Sequence, residues 1–240
     1  MRRRLDAFYA DSQEYRAFSQ VSQQGDCWQY VLQEMAARSP RPRVLEFGAG
    51  RSGFGPYLQQ HKAECEYHVQ DVTDRNDDWL SQYAVGRHYV DLVDVPGPFD
   101  VIFSTFVWEH VSNPRQTLKT LMNLLAPGGA LIIWCPRYDL PGYCPPALRH
   151  HGKPAQLLAN SRLMLRRMIT RITGKPAFLI VTDPAVFHTP AWFRDSDALH
   201  LVSRFDLEAA LPRDWTIQYP KQRPWRQRLT QLNVILVKPS

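Results

Sequence analysis

No apolar run in this chain approaches the ~20 residues that a membrane-spanning helix needs, so the sequence predicts no span. Cysteine is scarce: Cys27, Cys65, Cys135 and Cys144 are the only four in 240 residues. Their spacing matches no zinc-ligand pattern, and buried free thiols are the plainer reading, with Cys65 and Cys135 in predicted strands. A reducing cytoplasm is the expected location. Met1-Arg2-Arg3-Arg4 is basic, but Leu5 to Asp11 supplies no signal-peptide core. Internal repeats and an aromatic RNA-binding motif are also missing, and a nucleic-acid partner is not expected.

What is present is ordinary for a globular chain: 44% hydrophobic and 22% charged residues. The length suits one α/β domain with an insertion or a cap. The formal charge is +6 and the isoelectric point about 9.2. That balance permits an anionic partner, whether nucleic acid, a phospholipid surface or a phosphorylated acceptor, without choosing among them.

One stretch organises the rest. Val44-Leu45-Glu46-Phe47 reads as a buried strand, Gly48-Ala49-Gly50-Arg51-Ser52-Gly53 as a glycine turn, and Pro56 to Gln60 as a helix. Strand, glycine turn and helix form the nucleotide-holding unit of an open parallel sheet. Gly48 and Gly50 can take positive φ and carry no Cβ, so a ligand can lie against the backbone. Glu46 narrows the ligand. A phosphate-binding turn would not welcome a carboxylate there, whereas a cationic ligand with an amino-acid tail would.

Two later stretches follow in order. Cys65 to Gln70 reads as a second strand with Asp71 at its end, about 20 residues past the glycines. A carboxylate at that edge can accept both hydroxyls of a ribose. Asp74 competes with it, and either could simply cap the helix after Asn76. Arg87 to Asp91 reads as a short third strand, and Phe99 to Thr105 as the fourth. Asn113-Pro114 opens a helix whose apolar face is Leu118, Leu121, Met122 and Leu125. Pro127-Gly128-Gly129 ends it, and Ala130 to Cys135 is a continuous apolar fifth strand.

Val-Leu-Glu-Phe-Gly-Ala-Gly, the acid-ended second strand and the block from Tyr89 to Pro136 together resemble the class I S-adenosylmethionine (SAM) dependent methyltransferases. The resemblance covers residues 42 to 136. It implies a Rossmann-like α/β fold: an open seven-stranded, mostly parallel sheet with an antiparallel last strand, N-terminal helices and a helical or loop insert after strand 5. The cofactor implied is SAM. Glu46 would meet the methionine ammonium, directly or through water. Phe47, Gly48, Ala49, Gly50 and Gly53 would form the turn beneath the ligand. Asp71 and Val72 would meet the ribose, Asp91 and Leu92 the adenine, with Asp94 as the alternative acid. Ser104 and Thr105 would stand at the carboxyl edge. His110 matches a histidine common in the family, as general base toward an acceptor hydroxyl or as a structural residue. Ser52 departs from the pattern, standing where many relatives have glycine.

The chain is expected to form one domain: a helical cover over 1–40, a cofactor core over 42–136, an acceptor-side insert over 137–202, and a C-terminal helix and hairpin over 203–240. In the cover, Tyr9, Tyr15 and Trp28 either shield the cofactor or pack on the sheet. In the insert, Leu157 to Ile172 alternate with Arg162, Arg166, Arg167, Arg171 and Lys175, so Arg162–Lys175 either lies on an anionic membrane or turns its arginines to solvent. Phe187 to His200 gathers histidines, acids and aromatics. From it Asp195 and His200, with Asp197, are candidate acceptor-site residues. His and Asp are suitable metal ligands, but no metal is expected. The acceptor is expected to be a small molecule, a glycan or a lipid-linked compound, methylated on oxygen. Two other classes stay open. A nicotinamide oxidoreductase would use Gly48, Gly50 and Gly53 as its fingerprint. A non-catalytic SAM-binding protein would dock through its arginine helix.

Overall fold

The computed structural model describes residues 5, 8, 9, 20–189, 193–220 and 229–240. Tyr15 and Phe18, expected in the N-terminal helices, lie outside the described residues, as do Trp192 and most of the basic linker before the last strand.

The first strand, β1 (Arg43–Phe47), sits in the middle of a seven-stranded sheet of order β3-β2-β1-β4-β5-β7-β6. Its partners on either side are β2 (Glu66–Gln70) and β4 (Phe99–Thr105), both parallel to it. Strand order therefore reverses at β1, which opens a crevice at the carboxyl edge between β1 and β4. β3 (Gly86–His88) extends the parallel set, and β5 (Leu125–Pro136) joins β4 on the other side. β7 (Gln231–Val237) runs antiparallel to β5 and to β6 (Thr216–Gln218).

Side chains of the central strands alternate between two cores, as a sheet covered on both faces requires. Leu45, Ile102, Leu131 and Ile133 face one core, with Leu118 and Leu121 of α4 (Pro114–Leu124). Val44, Val101, Phe103 and Ile132 face the other, with Trp28, Val31 and Met35 of α1 (Gly25–Ala36). Trp28 is buried against Phe54 and Tyr57, so it packs on the sheet side and does not shield a ligand. Asn113 accepts from the Gln116 N–H at 3.3 Å, the expected cap ahead of Pro114.

α2 (Phe54–Gln60) follows the glycine turn, and α3 (Asp77–Leu80) follows β2. β5 begins at Leu125, earlier than expected. Leu125 already pairs with Phe99, and the Pro127-Gly128-Gly129 segment is held at the strand start by the Gly128 N–H to Pro239 O and Lys238 N–H to Gly129 O bonds. Beyond β5 come α5 (Lys153–Thr173) and α6 (Arg204–Ala210). Ser203 precedes α6 as expected, but its hydroxyl goes to Asp139 Oδ2 at 3.2 Å. The same oxygen accepts the Arg204 N–H at 3.1 Å, so Asp139 caps this helix.

Candidate active site

The glycine turn is shaped by both its own backbone and its neighbours. Gly48 (φ +73°) and Gly50 (φ +54°) occupy the left-handed region that L side chains rarely adopt. A Cβ on Gly48 would also strike Val107 at 2.5 Å. Asp71 reaches back across the turn: Oδ2 accepts the Gly50 N–H at 2.6 Å, and Oδ1 the Val72 N–H at 2.7 Å. Burial pushes this carboxyl up, against the backbone N–H groups of Gly50, Val72 and Thr73, which favour its charge.

A cavity of about 1060 Å³ opens over this turn. Phe47, Gly48, Ala49, Gly50, Asp71, Val72, Asp91, Leu92 and Thr105 line it, as do His110 and Asp195. The elements contributing these side chains are far apart in sequence and meet only at the carboxyl edge of the sheet.

Five expected site residues do not line the cavity: Glu46, Gly53, Ser104, Asp197 and His200. Glu46 is 2% exposed and lies beneath the turn, not in the cavity wall. Its Oε1 accepts from Ser52 Oγ at 2.9 Å and its Oε2 from the Tyr67 hydroxyl. Burial, opposed by those two hydrogen bonds, lifts its pKa to about 8. Gly53 has an ordinary φ of −89° and does not line the cavity. It is glycine because the N-terminal segment crosses there: a Cβ would stand 2.3 Å from Ser22 O. Ser104 is fully buried inside β4. His200 is 1% exposed, with Nδ1 3.3 Å from Trp108 O, and burial lowers its pKa to about 4. It is a neutral core histidine and cannot reach an acceptor.

Ser52, the departure from the glycine pattern, now has a physical reason. Its hydroxyl donates to Glu46 and accepts the Phe54 N–H at 3.1 Å. One side chain thereby ties the strand acid to the start of α2.

The second half of the cavity is a cluster around the loop after β4. His110 Nδ1 is 3.2 Å from Asp197 Oδ2, and its Nε2 is 3.8 Å from Glu109 Oε1. Tyr9 donates to the same Asp197 oxygen at 2.9 Å and lines the cavity. The main chain holds this loop against the insert: both the Leu199 and His200 N–H groups donate to Glu109 O at 2.8 Å. His200 thus contributes through its backbone, a role its side-chain chemistry did not signal. Asp197, expected at the acceptor site together with Asp195 and His200, is instead fully buried behind His110.

Electrostatics separate the four ionisable groups. Burial opposes a charge on His110, but the carboxylates of Asp197, Glu109 and Asp195 outweigh it and lift the imidazole to about 10. Asp197 is held below the usual carboxylate range by His110, against the cost of its burial. Burial raises Glu109 to about 8, and both its oxygens are buried without a hydrogen-bond partner. Asp195 is raised by burial, and its backbone sits at φ +60°. Phe106, also lining the cavity, has φ +58°. Such outliers in residues with a Cβ persist only where the surroundings hold them, and functional sites collect them.

Ligand atoms of Glu109, His110 and Asp195 all lie within 4.8 Å of one another, the spacing of a metal-ligand set; so do those of His150, Asp183 and His188, which lie outside the cavity. The antiparallel seventh strand and the exclusion of Gly53 from the cavity both count against the nicotinamide reading, which rests on an all-glycine fingerprint.

A family model described as a methyltransferase domain matches residues 21–211. A ubiquinone biosynthesis O-methyltransferase from Caulobacter sp. (strain K31) is 48% identical over 42 residues, 18% of this chain and 17% of that enzyme's length. Among solved structures, a 1,6-didemethyltoxoflavin-N1-methyltransferase from Burkholderia thailandensis has a TM-score of 0.53 at 14% identity, covering 100% of this chain and 87% of its own. A putative SAM-dependent methyltransferase from Listeria monocytogenes has a TM-score of 0.52 at 12% identity, covering 90% of this chain and 100% of its own. These structures share the fold.

Proposed function

This chain belongs to the methyltransferase-domain family, the class I SAM-dependent methyltransferases, and we propose that it methylates a hydroxyl oxygen of an acceptor seated against His110. Its cofactor is SAM. The residues of the cavity suit that group. Gly48 and Gly50, at positive φ, leave bare backbone where the methionine part would lie. Both oxygens of Asp71 accept from the backbone, and the carboxylate keeps acceptor capacity for a ribose hydroxyl. Asp91 and Leu92 stand at the cavity wall, where the adenine amino group and ring would be met. Glu46 would act on the turn through Ser52, not on the ligand directly.

When bound, SAM supplies a methyl group made electrophilic by its sulfonium sulfur. The chain supplies position and a base. Asp197 pairs with His110 on its Nδ1 side at 3.2 Å, which leaves Nε2 as the nitrogen to take the acceptor's hydroxyl proton. Tyr9 donates to the same Asp197 oxygen and steadies it. Glu109, carrying its own proton near neutral pH, can donate to a second oxygen of the acceptor. The acceptor fits the expected classes: a small molecule, a glycan or a lipid-linked compound bearing a hydroxyl. The observation that carries this reading is that His110, paired at 3.2 Å with the buried Asp197 behind it, lines the same cavity as the glycine turn.

Calorimetric titration with S-adenosylhomocysteine tests the cofactor half. Asp71→Ala is expected to weaken binding at least tenfold, about 1.4 kcal/mol. Transfer of labelled methyl to a panel of hydroxyl acceptors tests the other half. His110→Ala should lower kcat by about 10²- to 10⁴-fold with the S-adenosylhomocysteine affinity unchanged. A folded wild type that binds no S-adenosylhomocysteine would overturn the proposal. Binding without turnover on any acceptor would favour the non-catalytic alternative.

A further inference from the structure

Helix α5 carries an apolar stripe on its outer side. Leu157, Leu158, Leu165, Met168, Ile169 and Ile172 are all exposed, from 39% at Ile169 to 81% at Ile172. At 3.6 residues per turn these six fall within an arc of about 120°. The buried positions Asn160, Leu163 and Thr170 lie on the opposite side. Basic residues border the stripe: Arg162 and Arg166 follow one margin, Lys153 and Arg171 the other, all four exposed. From Lys153 to Lys175 there are six basic residues and no acidic one.

The inner side is firmly held. Asn160 donates to Leu140 O and Tyr143 O and accepts from the Gly142 N–H. Arg167, the one inward base, reaches Asp139 O. Asp206 accepts from Thr170 Oγ1 and from the Ala177 and Phe178 N–H groups, closing the C-terminal end. The stripe is thus the outward face of an anchored helix.

We propose that this face docks the protein onto an anionic lipid bilayer, with α5 lying in the plane of the surface. A helix with a wide apolar face, flanking arginines and no acids has the pattern of interfacial helices. No helix among the described residues is long and apolar enough to cross a membrane, so the contact is peripheral. Charge complementarity selects the occupant. A second copy would bring the same cations against themselves with no acid in the helix to offset them, whereas anionic headgroups neutralise them. The overall charge of +6 acts in the same sense.

The test is co-flotation of the full chain with phosphatidylglycerol-containing vesicles and with pure phosphatidylcholine vesicles. Binding to the anionic vesicles is expected to be at least about tenfold stronger and to weaken as salt is raised. The double substitution Leu165→Glu, Ile172→Glu should reduce it at least about tenfold while the melting temperature is retained. Arg162→Gln with Arg166→Gln, which leaves the stripe intact, should weaken only the anionic preference. Equal binding to both vesicle types, no binding at low salt, or retained binding in the Glu double variant would each overturn the proposal. So would concentration-dependent dimers, lost in that variant, from a protein that ignores vesicles. Vesicle binding needs neither cofactor nor acceptor, so its failure would leave the methyl-transfer reading standing, and the reverse.

Discussion

At 3.2 Å from Nδ1 of His110, the buried Asp197 carboxylate sets when that histidine can work as a base. The pair lifts the imidazole above its ordinary 6.5, so the free base that accepts a proton is populated only at higher pH. The rate should therefore climb with pH through an apparent pKa above 6.5. Asp197→Asn removes the carboxylate and should move that limb toward the ordinary value of about 6.5, with kcat lowered by the loss of orientation. A pH profile of kcat/KM on wild type and variant measures both effects. A limb that does not move would place the titrating group elsewhere. At this scale the sequence was informative about side chains that line the cavity and poor about those one layer behind. Glu46, Ser104 and His200 have chemistry suited to a site, but burial keeps them out of it. Residue type alone does not reveal which side of a strand or loop a group faces.

Among the elements, α5 shows most clearly how one helix can serve two environments. Leu163 and Leu165 are two residues apart and chemically identical, yet they are 2% and 58% exposed. Leu163→Ala should destabilise the protein by about 2–5 kcal/mol, the range for emptying a packed leucine site. Leu165→Ala should change stability by no more than about 0.5 kcal/mol. Urea unfolding of the two variants makes the comparison, and equal losses would mean the outer face is packed. The helix itself was legible from its apolar and basic periodicity. Which of its leucines face inward was not, because the pattern is apolar over more than half its circumference and only the packing against α6 and Tyr143 selects a side. The glycine turn shows the converse. Gly48 and Gly50 were readable from sequence because positive φ demands glycine, whereas Gly53 was misread as a ligand residue. Its reason is a contact with Ser22, 31 positions earlier, that no local pattern encodes.

Taken as a whole, the molecule stores protons that its unfolded chain would release. Glu46 and Glu109 titrate near 8 when folded against an ordinary 4.5. The folded state holds those protons more tightly, so each contributes stability that is present below 4.5 and lost as pH rises to about 8. His110 acts in the same direction, its contribution present below 6.5 and lost through about 10. His200 opposes them: lowered to about 4, it contributes stability present above 6.5 and lost as pH falls. Between pH 6.5 and about 8 the first three groups act in one direction, and the ligand-free protein should become less stable. Differential scanning calorimetry across that interval should show a falling melting temperature. Glu46→Gln should flatten the fall, because the amide keeps the buried volume but has no proton to lose. A melting temperature that rises across the interval would contradict the burial of these acids.

The order of strands and helices, the glycine turn and the acid after β2 all followed from the sequence, because hydrophobic periodicity, positive-φ glycines and capping residues are local physics. The family resemblance rested on the same stretches. The insert was legible only as a basic amphipathic helix followed by a polar loop. Tertiary structure alone decided that Asp197 stands behind His110 and that His200 serves through its backbone. It also decided that Ser52 is a strut for Glu46 and that Tyr9 reaches 188 residues along the chain to Asp197. Each of those relations depends on burial and on contacts between distant segments, which exist only once the sheet has brought its carboxyl edge together.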